Sequence, residues 1–338
     1  MGQGITKREG TKFSFSKIIV RMALVLSILA VFTVAIIVIT ASTANSLMSL
    51  KKKSLPNIPS NVLPSYSATS FTSSDDQTIL SGWFFKTTDP ISTIIVVHDT
   101  QSNRIPYNVS MVEMINDFLN MHFNVFLFDL RNSGESSGAI CGYGYLEWQD
   151  VLGAIKHVKK ISVTTDVILY GIGSGCSACL IAMDKLPPSL DTEVLEGYNQ
   201  KISDLGFDVH YIAGIILDSP AKNSDDYIVP FVLKKSKLSF ITKNFVPYAI
   251  RVSAGESSSM NLATEISRLP IPVCIIYGGR DTFVGSDKIG QIVEERKRLN
   301  PNTTMATMIP GAGYVESYII DPEGYRQTLR EYLETYFK

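Results

Sequence analysis

Hydrophobic and polar positions divide the chain into two unequal parts. Residues 22–39 form an unbroken apolar run without a charge, MALVLSILAVFTVAIIVI. From about Ser67 onward, short apolar runs of strand length alternate with stretches of helical period. Continuous runs of Val, Ile, Leu and Phe are typical of parallel strands whose two faces are both covered by helices. The pattern predicts an apolar N-terminal helix followed by an α/β domain with a doubly wound, mostly parallel sheet.

The alternating pattern also predicts where individual elements lie. The strand candidates are residues 78–86, 92–99, 123–130, 166–171, 212–219 and 272–279, and the helix candidates between them include residues 109–121, 145–160 and 176–186. Ligands of such sheets bind outside the carboxyl ends of the strands. A mostly helical stretch, residues 221–267, interrupts the alternation, and we expect it to form a cap because long connections in compact domains are often lids.

The N-terminal apolar segment is long enough to cross a bilayer core of about 30 Å as a helix. Basic residues lie before or at its start, and the next ones are at positions 51–53. The positive-inside rule then predicts a cytoplasmic tail (1–17), a single-pass membrane anchor (18–41), a stalk or linker (42–66) and an extracytoplasmic domain (67–338). A cleaved signal peptide ending near Ala44 is the alternative, disfavoured because the apolar run exceeds the usual length of about 7 to 15 residues.

Charge and cysteine content exclude several classes of function. The net charge is −1 and no basic stripe is interleaved with aromatic residues, so nucleic acid is not an expected partner. Cys274 lies in an apolar run and is predicted to be a core residue. Cys176 and Cys179 have the spacing of a redox motif, but small residues packed against a strand are the favoured explanation. No cofactor or metal is expected, since the turn GIGSG lacks the lysine of a phosphate loop and the acid of a dinucleotide fingerprint.

The segment VILYGIGSGCSACLIA, residues 167–182, raises the main functional question. A strand, a tight glycine turn and a helix of small residues present a catalytic serine when the turn reads G-x-S-x-G. Here Gly173 stands at the nucleophile position, and the only hydroxyl in the turn, that of Ser174, comes one residue later. The layout therefore predicts a nucleophile turn without its nucleophile.

Five further motifs accompany this turn along the chain: HD at 98–99, DLRNSGES at 129–136, LDSP at 217–220, GRDTFV at 279–284 and PGAGY at 310–314. From about Ser67 to Phe337 their order resembles the α/β-hydrolase superfamily, and within it the bacterial membrane-anchored serine aminopeptidase-like or small-esterase branch. The resemblance implies a serine-type hydrolase of esters, thioesters or peptides. It also implies that the oxyanion hole and pocket are lined by His98, Asp99, Thr100 and Ser174.

The catalytic triad that the resemblance implies is incomplete. Asp281 fits the acid position, but the histidine position holds Tyr314, and no histidine follows residue 210. Tyrosine, with a pKa near 10, is a donor rather than a base at neutral pH. Asp99 replaces a glycine beside the oxyanion hole, where a negative charge would oppose an oxyanion. Gly173 and Tyr314 thus predict a degenerate triad.

Three hypotheses follow for the function. The first is a catalytically degenerate protein that binds a small molecule, a peptide or a partner protein through the old pocket, with Tyr314 hydrogen-bonded to Asp281. The second is a weak hydrolase that uses Ser174, which would need a histidine such as His98 within reach. The third is an interaction module at the cell surface, which predicts a closed pocket and an exposed apolar patch of several hundred Å².

Overall fold

A single eight-stranded sheet forms the centre of the computed structural model, which describes residues 15–59, 61–235 and 238–338. The strands lie in the order β1-β2-β4-β3-β5-β6-β7-β8. The pairs β1–β2 and β2–β4 are antiparallel and the remaining neighbours are parallel, which confirms the predicted sheet. The strands are β1 (Tyr66–Thr72), β2 (Ile79–Phe85), β3 (Ser92–Val97), β4 (Phe123–Phe128), β5 (Val167–Ile172), β6 (Ile212–Asp218), β7 (Val273–Gly278) and β8 (Thr304–Ile309).

Helices cover both faces of this sheet. They are α1 (Phe15–Met48), α2 (Met111–Asn120), α3 (Trp148–Ile161), α4 (Ser174–Lys185), α5 (Thr192–Leu195), α6 (Gln200–Ser203), α7 (Val229–Lys235), α8 (Ser239–Ser253), α9 (Leu262–Arg268), α10 (Ser286–Leu299), α11 (Ser317–Ile320) and α12 (Pro322–Phe337). Apolar residues of α3, α4, α9 and α10 pack on one face, and those of α2 and α12 pack on the other. Burial of both faces accounts for the continuous apolar runs of the central strands.

The stretch predicted as a cap contains α7, α8 and α9. Two strands lie outside the predicted set, and both are edge strands: β1 at one end of the sheet and β8 at the other. Their sequences, YSATSFT and TMATMI, mix polar with apolar residues, and only part of each strand is buried. An edge strand therefore leaves a weaker apolar signal than a central one.

Helix α1 is long and apolar enough to span a membrane, and Lys17–Met48 is a candidate membrane span. Most of the predicted tail, residues 1–14, lies outside the described residues. The helix does not end at residue 41 but continues to Met48, and Ala44, Leu47 and Met48 are buried in the core. Their spacing of three and one places them on one side of the helix. This part of the predicted stalk is thus a docked helix.

The chain that follows α1 also stays on the domain. The Leu50 carbonyl accepts a hydrogen bond from Asn132 Nδ2 at 3.0 Å, and the Ser54 carbonyl accepts one from Asn103 Nδ2 at 2.9 Å. The region up to Ser54, which the sequence predicts to be a stalk or linker, is thus hydrogen-bonded to the domain. The physical reason is that two carbonyls of the segment, those of Leu50 and Ser54, gain side-chain donors from the domain.

Candidate active site

Four loops at the carboxyl ends of parallel strands carry the predicted site residues. Asp99 follows β3, Gly173 lies between β5 and α4, Asp281 follows β7 and Tyr314 follows β8. Crevices at the carboxyl ends of the strands are where this class of sheet binds ligands. The topology therefore brings these positions to one end of the sheet, and the side-chain contacts determine what they form there.

The turn at Gly173 has the backbone geometry of a strained elbow. Its φ is +56° and its ψ is −125°, and the Gly173 amide donates to the Asp218 carbonyl at 2.9 Å. Glycine adopts a positive φ without a steric penalty. A Cβ at this position would lie only 2.5 Å from Asp99 Cγ and closer still to the Tyr314 hydroxyl. The space that a nucleophile side chain would need is therefore filled by these two side chains.

Asp99 is the centre of a hydrogen-bonded group that we call the Asp99 cluster: Asp99, Thr100, Ser174 and Tyr314. Asp99 Oδ1 accepts from the amides of Ser174 and Thr100, both at 2.8 Å, and from Ser174 Oγ at 2.7 Å. The Tyr314 hydroxyl donates a further hydrogen bond to the carboxylate. Burial raises the pKa of Asp99, and the hydrogen bonds from Ser174 offset part of that rise. The Asp99 carboxylate thus occupies the backbone N–H groups of Ser174 and Thr100.

Tyr314 acts in this cluster as a donor. Its ring stacks on that of Phe283, with the ring centroids 4.2 Å apart and the planes at 20°. Burial, followed by the charge of Asp99, raises the pKa of Tyr314 well above that of free tyrosine. A phenol with a raised pKa keeps its proton at neutral pH and cannot act as a general base.

Asp281, at the predicted acid position, is not part of the cluster. Its Oδ1 accepts from the amides of Phe283 at 2.7 Å and Val284 at 3.0 Å. Its Oδ2 is buried and has no hydrogen-bond partner among the described residues. The predicted bond between Asp281 and Tyr314 is therefore wrong. The phenol carries its hydroxyl far from the backbone, so it reaches Asp99 at the elbow instead of stopping at the acid loop.

Ser174 has a well-defined polar environment without an imidazole. Its Oγ donates to Asp99 and accepts from the Thr100 amide at 2.9 Å, and it is 2.8 Å from Thr100 Oγ1. The residue is buried. The only ionisable side chain among these three partners is the Asp99 carboxylate, so a displaced nucleophile would have to use that group as its proton acceptor.

His98 is buried at the end of β3 and both of its ring nitrogens are engaged. Nδ1 is 2.8 Å from the Asp99 carbonyl and Nε2 is 3.0 Å from the amide of Leu130. The amide can only donate, so the ring is neutral with its proton on Nδ1, and burial lowers the pKa of His98 further. His98 connects the β3 and β4 loops, and it could reach Ser174 only by breaking both hydrogen bonds.

The segment after β4 forms a buried ionic network beside the site. Arg104 Nη2 pairs with Asp129 Oδ2 at 2.5 Å, and Arg131 Nη2 pairs with Asp150 Oδ1 at 2.7 Å. Arg104 and Asp150 were not among the predicted site residues. Asp150 lies in an acidic segment that follows the motif, whereas Arg104 lies outside any motif and only the structure reveals its role. Gly134, with φ of +43°, leaves room for the Asp129 carboxylate, which a Cβ would overlap.

The four cysteines are free and buried, including Cys176 and Cys179. Burial raises the pKa of each thiol, most simply for Cys179, where burial is the sole cause. Since the thiolate is the reactive form, thiols of this kind are inert. The Cys176–Cys179 spacing is consistent with close helix packing rather than redox chemistry.

The chain that follows α1 lines a small cavity beside Thr100 of the Asp99 cluster. Leu50 and Lys51 line a cavity of about 10 Å³ together with loop residues that include Thr100, Gln101 and Cys141. A volume of that size is about the minimum needed for a single water molecule. The docked segment therefore leaves no room there for an organic ligand.

Several solved structures with the same architecture are esterases. The Pyrococcus furiosus esterase Pf2001 superposes with a TM-score of 0.62 at 18% identity, covering 87% of this chain and 99% of that one. This chain has the α/β-hydrolase fold. A thermophilic esterase from Thermogutta terrifontis superposes with a TM-score of 0.55 at 14% identity, covering 80% and 100%. The Exiguobacterium antarcticum esterase gives 0.52 at 14%, covering 79% and 100%. No protein-family model and no curated protein matches the sequence.

Proposed function

We propose that this chain is a membrane-anchored α/β-hydrolase-fold protein that has no serine-triad activity and acts as an extracytoplasmic binding module. The observation that carries the proposal is the position of the Asp99 carboxylate, 2.8 Å from the amides of both Ser174 and Thr100. In the branch that the sequence resembles, the serine aminopeptidase-like and small esterases, the Ser174 position supplies an amide to the oxyanion. In this protein that amide already binds an anion.

Chemical requirements support the same conclusion. Acyl transfer needs a nucleophile, a base that takes its proton and donors for the developing oxyanion. Gly173 has no nucleophilic atom, Tyr314 keeps its proton, and Asp99 would repel a second negative charge at the shared donors. Each of the three requirements meets an obstacle at a different residue.

The small size of the cavity beside Thr100 argues against a small-molecule ligand at this position and favours a macromolecular partner. The cavity beside Thr100 is about 10 Å³, whereas pockets for organic ligands usually hold about 300–1,000 Å³. Binding would then use the outer surface of the domain. The anchor is supported by the apolar length of α1, and the extracytoplasmic orientation by the basic residues near its start.

A weak hydrolase that uses Ser174 is the alternative function. Its support is the hydrogen bond from Ser174 Oγ to Asp99 Oδ1 at 2.7 Å, which gives the hydroxyl a nearby carboxylate with a raised pKa. Such a carboxylate could accept the proton of Ser174. The same oxygen, however, would have to release the elbow amides before an oxyanion could bind there.

Labelling of the full-length, detergent-solubilised protein with a fluorophosphonate distinguishes the two functions. We expect no labelling of the parent protein. Labelling that disappears in Ser174→Ala would overturn the proposal and establish a displaced nucleophile.

A reconstruction experiment tests why activity is absent. We expect the triple variant Asp99→Gly/Gly173→Ser/Tyr314→His to react with the fluorophosphonate. The matched control keeps Asp99 and carries only Gly173→Ser/Tyr314→His, and we expect it to stay unlabelled because Asp99 fills the space next to residue 173. Equal labelling of both variants would show that Asp99 does not block the site.

A further inference from the structure

Helix α8 of the cap has an exposed apolar side. Phe245, Tyr248 and Val252 are 50%, 54% and 51% exposed, and Phe240 near the start of the helix is 70% exposed. The spacing of three and four residues between Phe245, Tyr248 and Val252 places them on one face. Thr242, Val246 and Ile250, one turn apart from each other, are buried on the opposite side. Large aromatic side chains grouped on a solvent-facing surface indicate a binding surface.

The position of α8 beside the candidate membrane helix shows what this surface meets. Helix α8 packs against α1, and the preceding helix α7 contacts it as well. Lys235 at the end of α7 donates a hydrogen bond to Ser46 Oγ of α1. The other end of α8 is fixed to the domain by the ion pair of Arg251 with Asp225 at 2.5 Å. The exposed face of α8 is therefore continuous with the surface of α1.

The length of α1 indicates where α8 lies relative to the bilayer. Most apolar residues from Ile18 to Val38 are exposed, and partly or fully buried positions recur from Ile36 to Met48. A span of about 20 residues at 1.5 Å per residue fills a bilayer core of about 30 Å. The contact between α1 and the cap therefore begins where the hydrocarbon core ends, at the level of the lipid headgroups.

Positive charges near α8 suit a position among the lipid headgroups. Lys234, Lys235 and Lys243 are exposed at the end of α7 and on the first turns of α8. Lysines beside an apolar helix face can extend their amines to lipid phosphates while their methylenes remain in the apolar layer. Tyrosine is also common at the interface between membrane and water.

We infer that the cap helix α8 lies in the surface layer of the lipid bilayer beside the anchor, with Phe240, Phe245, Tyr248 and Val252 inserted among the lipids. The domain is then attached to the membrane at two places, the spanning helix and the cap. The cap and the carboxyl ends of the strands then face the lipid, and the amino ends of the strands face away from it. This inference rests on the membrane anchor of the proposed function, but not on the absence of serine-triad activity.

Nitroxide labels on single introduced cysteines test the inference in the full-length protein reconstituted into nanodiscs of phosphatidylcholine and phosphatidylglycerol. The label sites are Phe240→Cys and Phe245→Cys, and the control is Val163→Cys, an 82% exposed position near the amino end of β5. The native cysteines are buried and should react little with the nitroxide reagent. The parent protein, which has no introduced cysteine, measures this background labelling. We expect oxygen to relax the labels at 240 and 245 several-fold more effectively than a water-soluble nickel chelate does, and the reverse at 163.

Two results would overturn the inference. Equal accessibility to the nickel chelate at 240, 245 and 163 would show that α8 stands in water. Immobilised labels at 240 and 245 that neither reagent reaches would show that α8 contacts a protein, such as a second copy of the chain. Val252→Cys provides a third position on the same face if a label at one site prevents folding.

Discussion

Two aspartates at the ends of neighbouring strands, Asp99 after β3 and Asp129 after β4, have their negative charges compensated in different ways. Asp129 meets the guanidinium of Arg104 at 2.5 Å, whereas Asp99 meets amides and hydroxyls. Burial pulls the pKa of both upward, but the hydrogen bonds and charge of Arg104 hold the pKa of Asp129 below its ordinary value. The pKa of Asp99 stays raised. Asp129 is part of the scaffold, and Asp99 fills a site with dipoles that could serve another anion.

The largest expected effect comes from removing the compensating charge of Asp129. We expect Arg104→Met to lower the free energy of unfolding by about 3–5 kcal/mol, because it leaves a buried carboxylate unpaired. Chemical denaturation of the detergent-solubilised full chain measures this loss. The control is Lys201→Met, which removes an exposed pair with Asp76 and should cost less than about 1 kcal/mol. Similar losses in both variants would contradict the distinction between the buried and the exposed pair.

The next effect tests whether Asp99 fills the elbow. Gly173→Ala forces a side chain into a strained backbone conformation, which costs of order 1–3 kcal/mol, and it adds contact with Asp99 and Tyr314. Gly206→Ala is the matched control, since Gly206 also has a positive φ but its Cβ would meet no atom within 4 Å. We expect Gly173→Ala to destabilise more than Gly206→Ala in denaturant titrations. The excess should shrink in an Asp99→Gly background; an unchanged excess would argue against Asp99 as the obstacle.

The opposite pKa shifts predict opposite pH dependences. The raised pKa of Asp99 contributes stability at low pH that is lost as the pH rises through the folded-state pKa. The lowered pKa of Asp129 contributes stability above its unfolded pKa that is lost as the pH falls. Each slope is at most about 1.4 kcal/mol per pH unit for one proton. Denaturation of the parent, Asp99→Asn and Asp129→Asn between pH 3.5 and about pH 7 should give differences of opposite slope, and parallel slopes would refute the comparison.

The smallest expected effect concerns the hydroxyl of Ser174. Ser174→Ala removes its hydrogen bonds to Asp99 and Thr100 and should cost about 1 kcal/mol. Ser253→Ala, on the exposed side of α8, is expected to be nearly neutral. Chemical denaturation of the two variants and the parent under the same conditions measures both losses of stability. A loss of several kcal/mol at Ser174 alone would mean that the cluster depends on this hydroxyl more than its single bonds suggest.

Most strands of the sheet could be predicted from the sequence, but few of the side-chain contacts in the candidate site could. Central strands such as β4 are buried on both faces and are visible as apolar runs, whereas the edge strands β1 and β8 mix polar with apolar residues and were not predicted. The docking of residues 44–54 was not predicted either, because the segment after the apolar run has no continuous apolar pattern and therefore predicts a stalk or linker.

Within the candidate site, the sequence motifs indicated which loops meet at one end of the sheet. They did not indicate which side chain Tyr314 contacts, since that depends on how far a phenol reaches across the crevice. For the same reason, the motifs did not indicate that Asp281 Oδ2 would lack a hydrogen-bond partner among the described residues. A motif predicts the loop in which a residue lies, but the hydrogen-bond partner of a buried polar atom depends on the lengths of all the side chains that converge there.

The docked segment after α1 has a mechanical consequence. Buried apolar contacts at Leu47 and Met48, and carbonyl bonds at Leu50 and Ser54, attach the anchor to the domain without a free hinge up to Ser54. A domain on a flexible tether explores a volume set by the tether length. With α1 spanning a membrane as proposed, the domain would keep a fixed height and tilt with respect to that helix, and diffusion in the plane of the membrane and rotation about the membrane normal would be its main freedoms. A partner attached to the same membrane would meet it with its surface already oriented.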